Sequence, residues 1–215
     1  MKRYLLLILF TFPLFSFAQS KKNFFEGGLV IGFNAAQVDG DKLAGFHKIG
    51  ANMGVLGGFP IFKKNLYFQF ELLYSQKGSR MSNNQLNAQV TPNTNYVLTL
   101  NYAEIPLLLS YHDKDNKTRI SGGISIGSLF NGTEKINYSY SVSAVDYYKK
   151  RDICWVADIS YMASKHLGVS MRYSYSLAYI RNFAGYTYNG QSLVNPYYGT
   201  NQFNNYVSIR GIYLF

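Results

Sequence analysis

The chain has 215 residues, with 15% charged, 17% aromatic, twenty tyrosines and a formal net charge of +10. Ordinary soluble domains carry about 25% charged residues, so this composition departs from that of a solvated globule. The single cysteine, Cys154, excludes an intramolecular disulfide and reads as a small packed side chain.

The first residues read as a secretory signal. Lys2 and Arg3 form a basic start, residues 4–17 form an apolar run broken by Pro13, and Ser16-Phe17-Ala18 offers small residues for cleavage before Gln19. Residues 1–18 are therefore expected to be removed, leaving 19–215 as one domain. Loss of Lys2 and Arg3 lowers the net charge by two, to +8. Nowhere after the signal does the sequence approach the ~20 consecutive apolar residues of a membrane helix.

Alternating segments follow in chain order. Residues 28–38 set Leu29, Ile31 and Phe33 against Gly32 and Asn34, and 49–59 is Gly-rich. Residues 66–76 set Leu66, Phe68, Phe70, Leu72 and Tyr74 against Gln69, Glu71 and Ser75. Residues 97–111 place Ala103, Ile105, Leu107 and Leu109 opposite Glu104, and 119–129 place Ile120, Ile124 and Ile126 opposite Ser121, Ser125 and Ser128. Residues 153–161 set Trp155 and Ile159 against Asp158 and Ser160, and 167–179 set Val169, Met171 and Tyr173 against Ser170, Arg172 and Ser174. The last segment sets Val207, Ile209, Gly211, Tyr213 and Phe215 against Ser208 and Arg210. Period-2 alternation of this kind predicts strands, and these are longer than the ~5–6 residues usual in globular sheets.

The connections alternate as well. Segments 60–65, 112–118 and 162–166 are short, whereas 39–48, 77–96, 131–152 and 180–203 are long. This rhythm predicts an all-β, eight-stranded, antiparallel up-and-down transmembrane barrel in the outer membrane, with short periplasmic turns and long extracellular loops. A soluble lipocalin-like ligand-binding barrel also alternates, but with its polar face outward. Here the polar face carries Ser, Gly and Asn with three acids and three arginines, which suits a lumen better than a solvated wall.

Buried charges must be paired. Glu71, Glu104, Arg119, Asp158, Arg172 and Arg210 are accordingly expected to form a structural charge network that plugs the lumen. Register estimates put Asp158 diagonal to Arg172, Arg210 one strand beyond, and Glu71 at the depth of Glu104. Paired carboxylates doing acid–base work are the alternative. His47, His112 and His166 are scattered, so neither a Ser–His catalytic set nor a metal site can be assembled, and the sequence has no phosphate-binding or dinucleotide fingerprint. Catalytic, metal and cofactor sites are therefore not expected. Lys63, Lys64, Lys114, Lys117, Lys149, Lys150 and Arg151 fall in connections, where they can be solvated or can meet anionic lipid and lipopolysaccharide phosphates. An exported chain gives them no nucleic acid to bind. Tyr186, Tyr188, Tyr197 and Tyr198 in the last long loop read as interfacial or loop residues, with stacking on a glycan or protein as the alternative.

Four blocks carry a resemblance. They are Gly28-Leu29-Val30-Ile31-Gly32-Phe33-Asn34, Gly54-Val55-Leu56-Gly57-Gly58-Phe59, Phe70-Glu71-Leu72-Leu73-Tyr74-Ser75-Gln76-Lys77-Gly78 and Tyr102-Ala103-Glu104-Ile105-Pro106-Leu107-Leu108. Through them the chain resembles the PorT-like outer-membrane β-barrel family of Gram-negative bacteria. The resemblance implies insertion by the barrel assembly machinery, which reads a C-terminal aromatic strand, here Tyr213 and Phe215. The family's namesake serves a protein secretion and gliding apparatus. The expected role is thus structural, adhesive or accessory, with a small-solute channel or an accessory subunit of such an apparatus as the alternatives.

Overall fold

The structure is a computed structural model that describes residues 25–41, 43, 45–62, 65–81, 96–136, 140–143, 145, 147–181, 187–188, 191–192 and 201–215. The expected signal segment, Lys63, Lys64 and the loop residues Tyr186, Tyr197 and Tyr198 lie outside these, as does the side chain of Tyr188.

Eight long strands form the wall: β1 (Glu26–Asp39), β2 (Lys48–Phe62), β3 (Leu66–Arg80), β4 (Tyr96–His112), β5 (Thr118–Ile136), β7 (Arg151–Met162), β8 (Leu167–Ser176) and β11 (Phe203–Leu214). Short β6 (Tyr140–Ser143) pairs with the outer end of β5, and β9 (Thr187–Tyr188) pairs with β10 (Gln191–Ser192). Each long strand lies antiparallel to its chain neighbour in the wall, and β4–β5 pairing makes the sheet continuous. The ring closes where β1 meets β11, from Gly28 opposite Leu214 to Asp39 opposite Phe203. The Phe215 amide then donates to the Gly27 carbonyl at 3.0 Å. Closure leaves no unpaired edge along the seam, as a wall in lipid requires.

Close approach at the seam selects a glycine. A Cβ on Gly32 would sit 2.1 Å from the Ile209 carbonyl oxygen, on the rung opposite Arg210.

The long strands span 10 to 19 residues, enough to cross hydrocarbon at the usual tilt of about 45°. Along β7 burial alternates without a break over all 12 residues. Leu29, Ile31, Leu72, Ile105, Ile120, Ile159, Val169 and Ile209 point outward and are exposed, Ile31 at 67%. Glu71, Glu104, Asp158, Arg172 and Arg210 point inward and are buried. This is the reverse of a soluble ligand-binding barrel and removes that alternative. Ser128 departs from the sequence reading: it lies outward with Ile126 and Phe130. It has the same parity as Ile120, and its polarity had masked that.

Several boundaries also move. β3 runs on to Arg80 and β7 begins at Arg151, so Lys77 and Asp152 are wall residues rather than loop residues. β5 reaches Ile136 after a bulge opposite Asn101/Tyr102, with Phe130 as the extra residue. Above that bulge the polarity of the wall inverts. Leu98 and Leu100 turn inward to join Val38, Met81, Leu129 and Ile180 in an apolar cluster, while Asn101 and Gln76 bond to each other on the outside at 3.0 Å. The outer end of the barrel is therefore built like a water-soluble domain, with an apolar filling.

Candidate functional site

The lumen is filled by side chains in successive layers. At the periplasmic mouth Arg119 donates to Glu26 at 2.9 Å. Nearby, His112 stacks on Tyr67 with ring centroids 4.0 Å apart, and its Nε2 lies 3.1 Å from Ser110 Oγ. A Ser–His contact therefore exists that spacing did not reveal. Among the described residues no third member of a catalytic set adjoins it: Ser110 is fully buried, no acid bonds Nδ1 of His112, and the adjoining cavity holds only about 10 Å³. That is room for a single water. His166 bonds the Leu214 carbonyl through Nδ1 at 2.9 Å, tying the β7–β8 turn to the end of the chain. His47 is exposed in the first outer connection.

The next layer gathers four of the six residues singled out from the sequence. Asp158 and Arg172 stand directly opposite each other on β7 and β8, closer than the diagonal expected. Arg172 forks onto Glu71 at 2.8 and 2.9 Å and donates Nε–H to Asp158 at 3.0 Å. Arg210 donates to Glu71 at 2.9 Å, to Asp158 at 2.7 Å and to Ser170 at 3.0 Å. Gln69 and Ser160 supply one more hydrogen bond each, to Glu71 and Asp158. Two acids face two arginines, so charge and donors balance inside low-dielectric walls, the condition under which a buried ion cluster is tolerated.

Asn34 forms the layer above, bridging β1 to β2, β3 and β11 through Asn52, Ser75 and Ser208 at 3.0, 3.0 and 2.7 Å.

Glu104 does not join Glu71, although the two strands are neighbours. Leu73, not Glu71, stands opposite it, and the offset carries Glu104 one layer outward. There it pairs with Lys77, whose ammonium also contacts Asp152 at 2.9 Å and lies over the rings of Tyr102 and Tyr206 at 4.8 and 4.5 Å. Asp152 further accepts from Ser176 at 2.7 Å and from Asn204 at 2.8 Å. Cys154 is fully buried beside Lys77, with Sγ at 3.8 Å. Glu104, Asp152 and Cys154 sit close enough to hold a cation, and Lys77 supplies it. Arg119 belongs to neither cluster. The expected single network is thus two inner clusters plus one pair at the mouth.

Sequence reasoning missed Lys77 and Asp152 because both lie where alternation gives way to loop-like residues. Gly78 at φ +134° ends the regular pattern after Lys77. Parity was the available signal: Lys77 continues Glu71, Leu73 and Ser75 on one face.

At the outer end Glu134 accepts from Tyr96 at 2.8 Å and lies 3.8 Å from Arg181. In the first outer connection Asp41 is buried and takes the Leu43 amide at 2.8 Å. Burial pushes its carboxyl up to about 6. The outward surface beyond the belt carries exposed Arg80, Lys135, Lys149, Lys150 and Arg151. Tyr213 and Phe215 are exposed on the outer wall at the periplasmic end, with ring centroids 5.9 Å apart.

Comparison with known proteins agrees with this architecture. Two solved structures of Ail, the attachment invasion locus protein of Yersinia pestis, share the fold at TM-score 0.51. One, in complex with the heparin analogue sucrose octasulfate, is 10% identical and covers 89% of this chain and 99% of Ail. The other is 12% identical and covers 88% and 98%. Neisserial surface protein A matches at TM-score 0.43 and 13% identity, over 89% of this chain and 97% of its own. Among curated proteins none matches. The family model described as outer membrane protein beta-barrel domain matches residues 17–182. With the closed, lipid-facing wall just described, the chain belongs to the outer membrane protein beta-barrel domain family.

Proposed function

We propose that this chain is a non-enzymatic integral protein of the outer membrane, of the PorT-like kind, with a structural, adhesive or accessory role and a lumen closed by charge. In this reading residues 1–18 are cleaved on export, and the barrel assembly machinery recognises Tyr213 and Phe215. The observation that carries the proposal is the filling of the lumen. The Glu71–Asp158–Arg172–Arg210 cluster, the Lys77 cluster and the outer apolar cluster succeed one another along the barrel axis. With the interior occupied, function falls to the outer surface and the extracellular loops. A small-solute channel needs a continuous water path, and planar-bilayer recording separates the two readings. The filled lumen gives no steady conductance, whereas a stable open level would sink it. A place as an accessory subunit of a secretion or gliding apparatus rests on the PorT-like resemblance alone, and co-purification from native outer membranes tests it.

An adhesive role is favoured by the exposed cations at the outer end. Arg80 and Lys135 flank Val97 on three adjacent strands, and Lys149, Lys150 and Arg151 lead into β7 above outward-facing Ile153 and Trp155. Such a surface attracts phosphate or sulfate groups, whether on lipopolysaccharide or on a host glycan. The heparin analogue bound by Ail is a polyanion of this class. Retention of the detergent-solubilised barrel on heparin resin is expected to fall when Lys149, Lys150 and Arg151 are changed together to Gln. Equal retention of the variant would refute a role for these cations.

A further inference from the structure

The Lys77 cluster differs from the Glu71 cluster in its charge count. Below, two arginines meet two acids; here one lysine meets two, Glu104 and Asp152. Arg119, Arg172, Arg181 and Arg210 each face an acid of their own, and Lys77, Glu104 and Asp152 are all 0–1% exposed. By charge count the cage is one proton short of neutrality, and a proton on either carboxyl group supplies it. The site therefore holds a lysine, a carboxyl group in contact with it, a second carboxyl group to handle protons, and aromatic walls that keep bulk water out.

Those are the requirements for amide condensation. We infer that Lys77 and Asp152 form an intramolecular isopeptide bond, with Glu104 as the proton carrier. Lys77 gives up a proton to the carboxyl pair, and its neutral Nζ attacks Cγ of protonated Asp152, forming the N–C bond. Glu104, protonated by then, gives its proton to the departing Asp152 hydroxyl and takes the second proton from Nζ. The C–O bond breaks, one water leaves, and Glu104 ends protonated, holding the one proton that the carboxyl pair carried before the reaction. The condensation involves no oxidation or reduction, and no further reactant is needed. Asp152 is held for attack by Ser176 on one carboxyl oxygen at 2.7 Å and by Asn204 on the other at 2.8 Å, donors that also stabilise charge on the tetrahedral intermediate. In water, hydrolysis opposes such a bond. Here the amine sits 2.9 Å from the carboxyl oxygen, and well-oriented intramolecular partners reach effective concentrations of about 10⁵ M or more. The product is a covalent strut across the lumen from β3 to β7, chain-distant strands with two others between them in the wall.

The test is peptide mass spectrometry on the folded barrel purified from outer membranes, with folding verified by its heat-modifiable gel mobility. The wild-type tryptic digest should contain one branched peptide joining the Lys77 and Asp152 segments, lighter than their sum by one water and uncleaved after Lys77. The Asp152→Asn chain should give the same branched product by losing ammonia instead. The Glu104→Gln chain should fold and remain unlinked. Folded wild-type protein that yields only separate peptides, cleaved after Lys77, overturns the bond. A linked Glu104→Gln chain overturns the role of Glu104.

Discussion

Removing the Glu71 carboxylate tests whether the buried ions act as a unit. Glu71 accepts from Arg172 twice, from Arg210 and from Gln69, all between 2.7 and 2.9 Å, and the two arginines are buried away from water. Glu71→Ala leaves two arginines facing Asp158 alone, an uncompensated buried charge. Taking one partner from such a cluster costs about 3–5 kcal/mol. Urea unfolding of the barrel in lipid vesicles, followed by the fluorescence of the lone tryptophan, should show that loss. Arg210→Ala removes the opposite charge, so the double variant Glu71→Ala/Arg210→Ala restores one acid to one arginine. It should be more stable than the sum of the single changes allows, by about 1–3 kcal/mol. A Glu71→Ala loss below about 1 kcal/mol, the range of solvent-screened pairs, would refute the reasoning, as would strict additivity.

Gly32→Val should block closure at the β1–β11 seam, because a Cβ there meets the Ile209 carbonyl 2.1 Å away; the folded, heat-modifiable band should be lost, and a normal yield would contradict the packing. Leu100→Ala empties part of the outer apolar cluster and should cost about 2–5 kcal/mol in the same urea assay, whereas a neutral change would mean that water already fills that end. Asp41 gives a pH signature. Its carboxyl is raised from 3.8 to about 6, so the folded state binds more protons than the unfolded chain between those values. Its contribution is therefore fully present below pH 4 and is lost as pH rises through 6, by at most about 3 kcal/mol. Asp41→Asn should match wild type at pH 4 and exceed it at pH 7; equal stability at both would show that the carboxyl is not desolvated.

The architecture was legible because lipid and lumen impose opposite demands on alternate residues. β7 and β8 read correctly from Ile153 and Trp155 against Asp158, and from Met171 against Arg172. The long and short connections then gave the orientation. Register was harder. Asp158 and Arg172 belong to one hairpin, so their pairing followed from a short turn. Glu71 and Glu104 depend on how β3 slides against β4 across a long connection, and the estimate placed them in one cluster. The outer apolar filling escaped for a physical reason. Leu98 and Leu100 alternate with Thr99 and Asn101 as any half-buried strand does, and period alone does not say which face is inside. The parity of Leu98 and Leu100 with inward Glu104 along β4 was the available signal, and the bulge at Phe130 on β5 marks where the filling becomes apolar.

Trp155 tests most directly whether the apolar face meets lipid. It is the chain's one tryptophan, it lies outward on β7 and it packs against Tyr173 at 5.1 Å. In vesicles made with lipids brominated along their acyl chains, its fluorescence should be strongly quenched, while aqueous iodide should have little effect. Quenching by iodide with indifference to brominated lipid would place this face in water and contradict the membrane-spanning barrel.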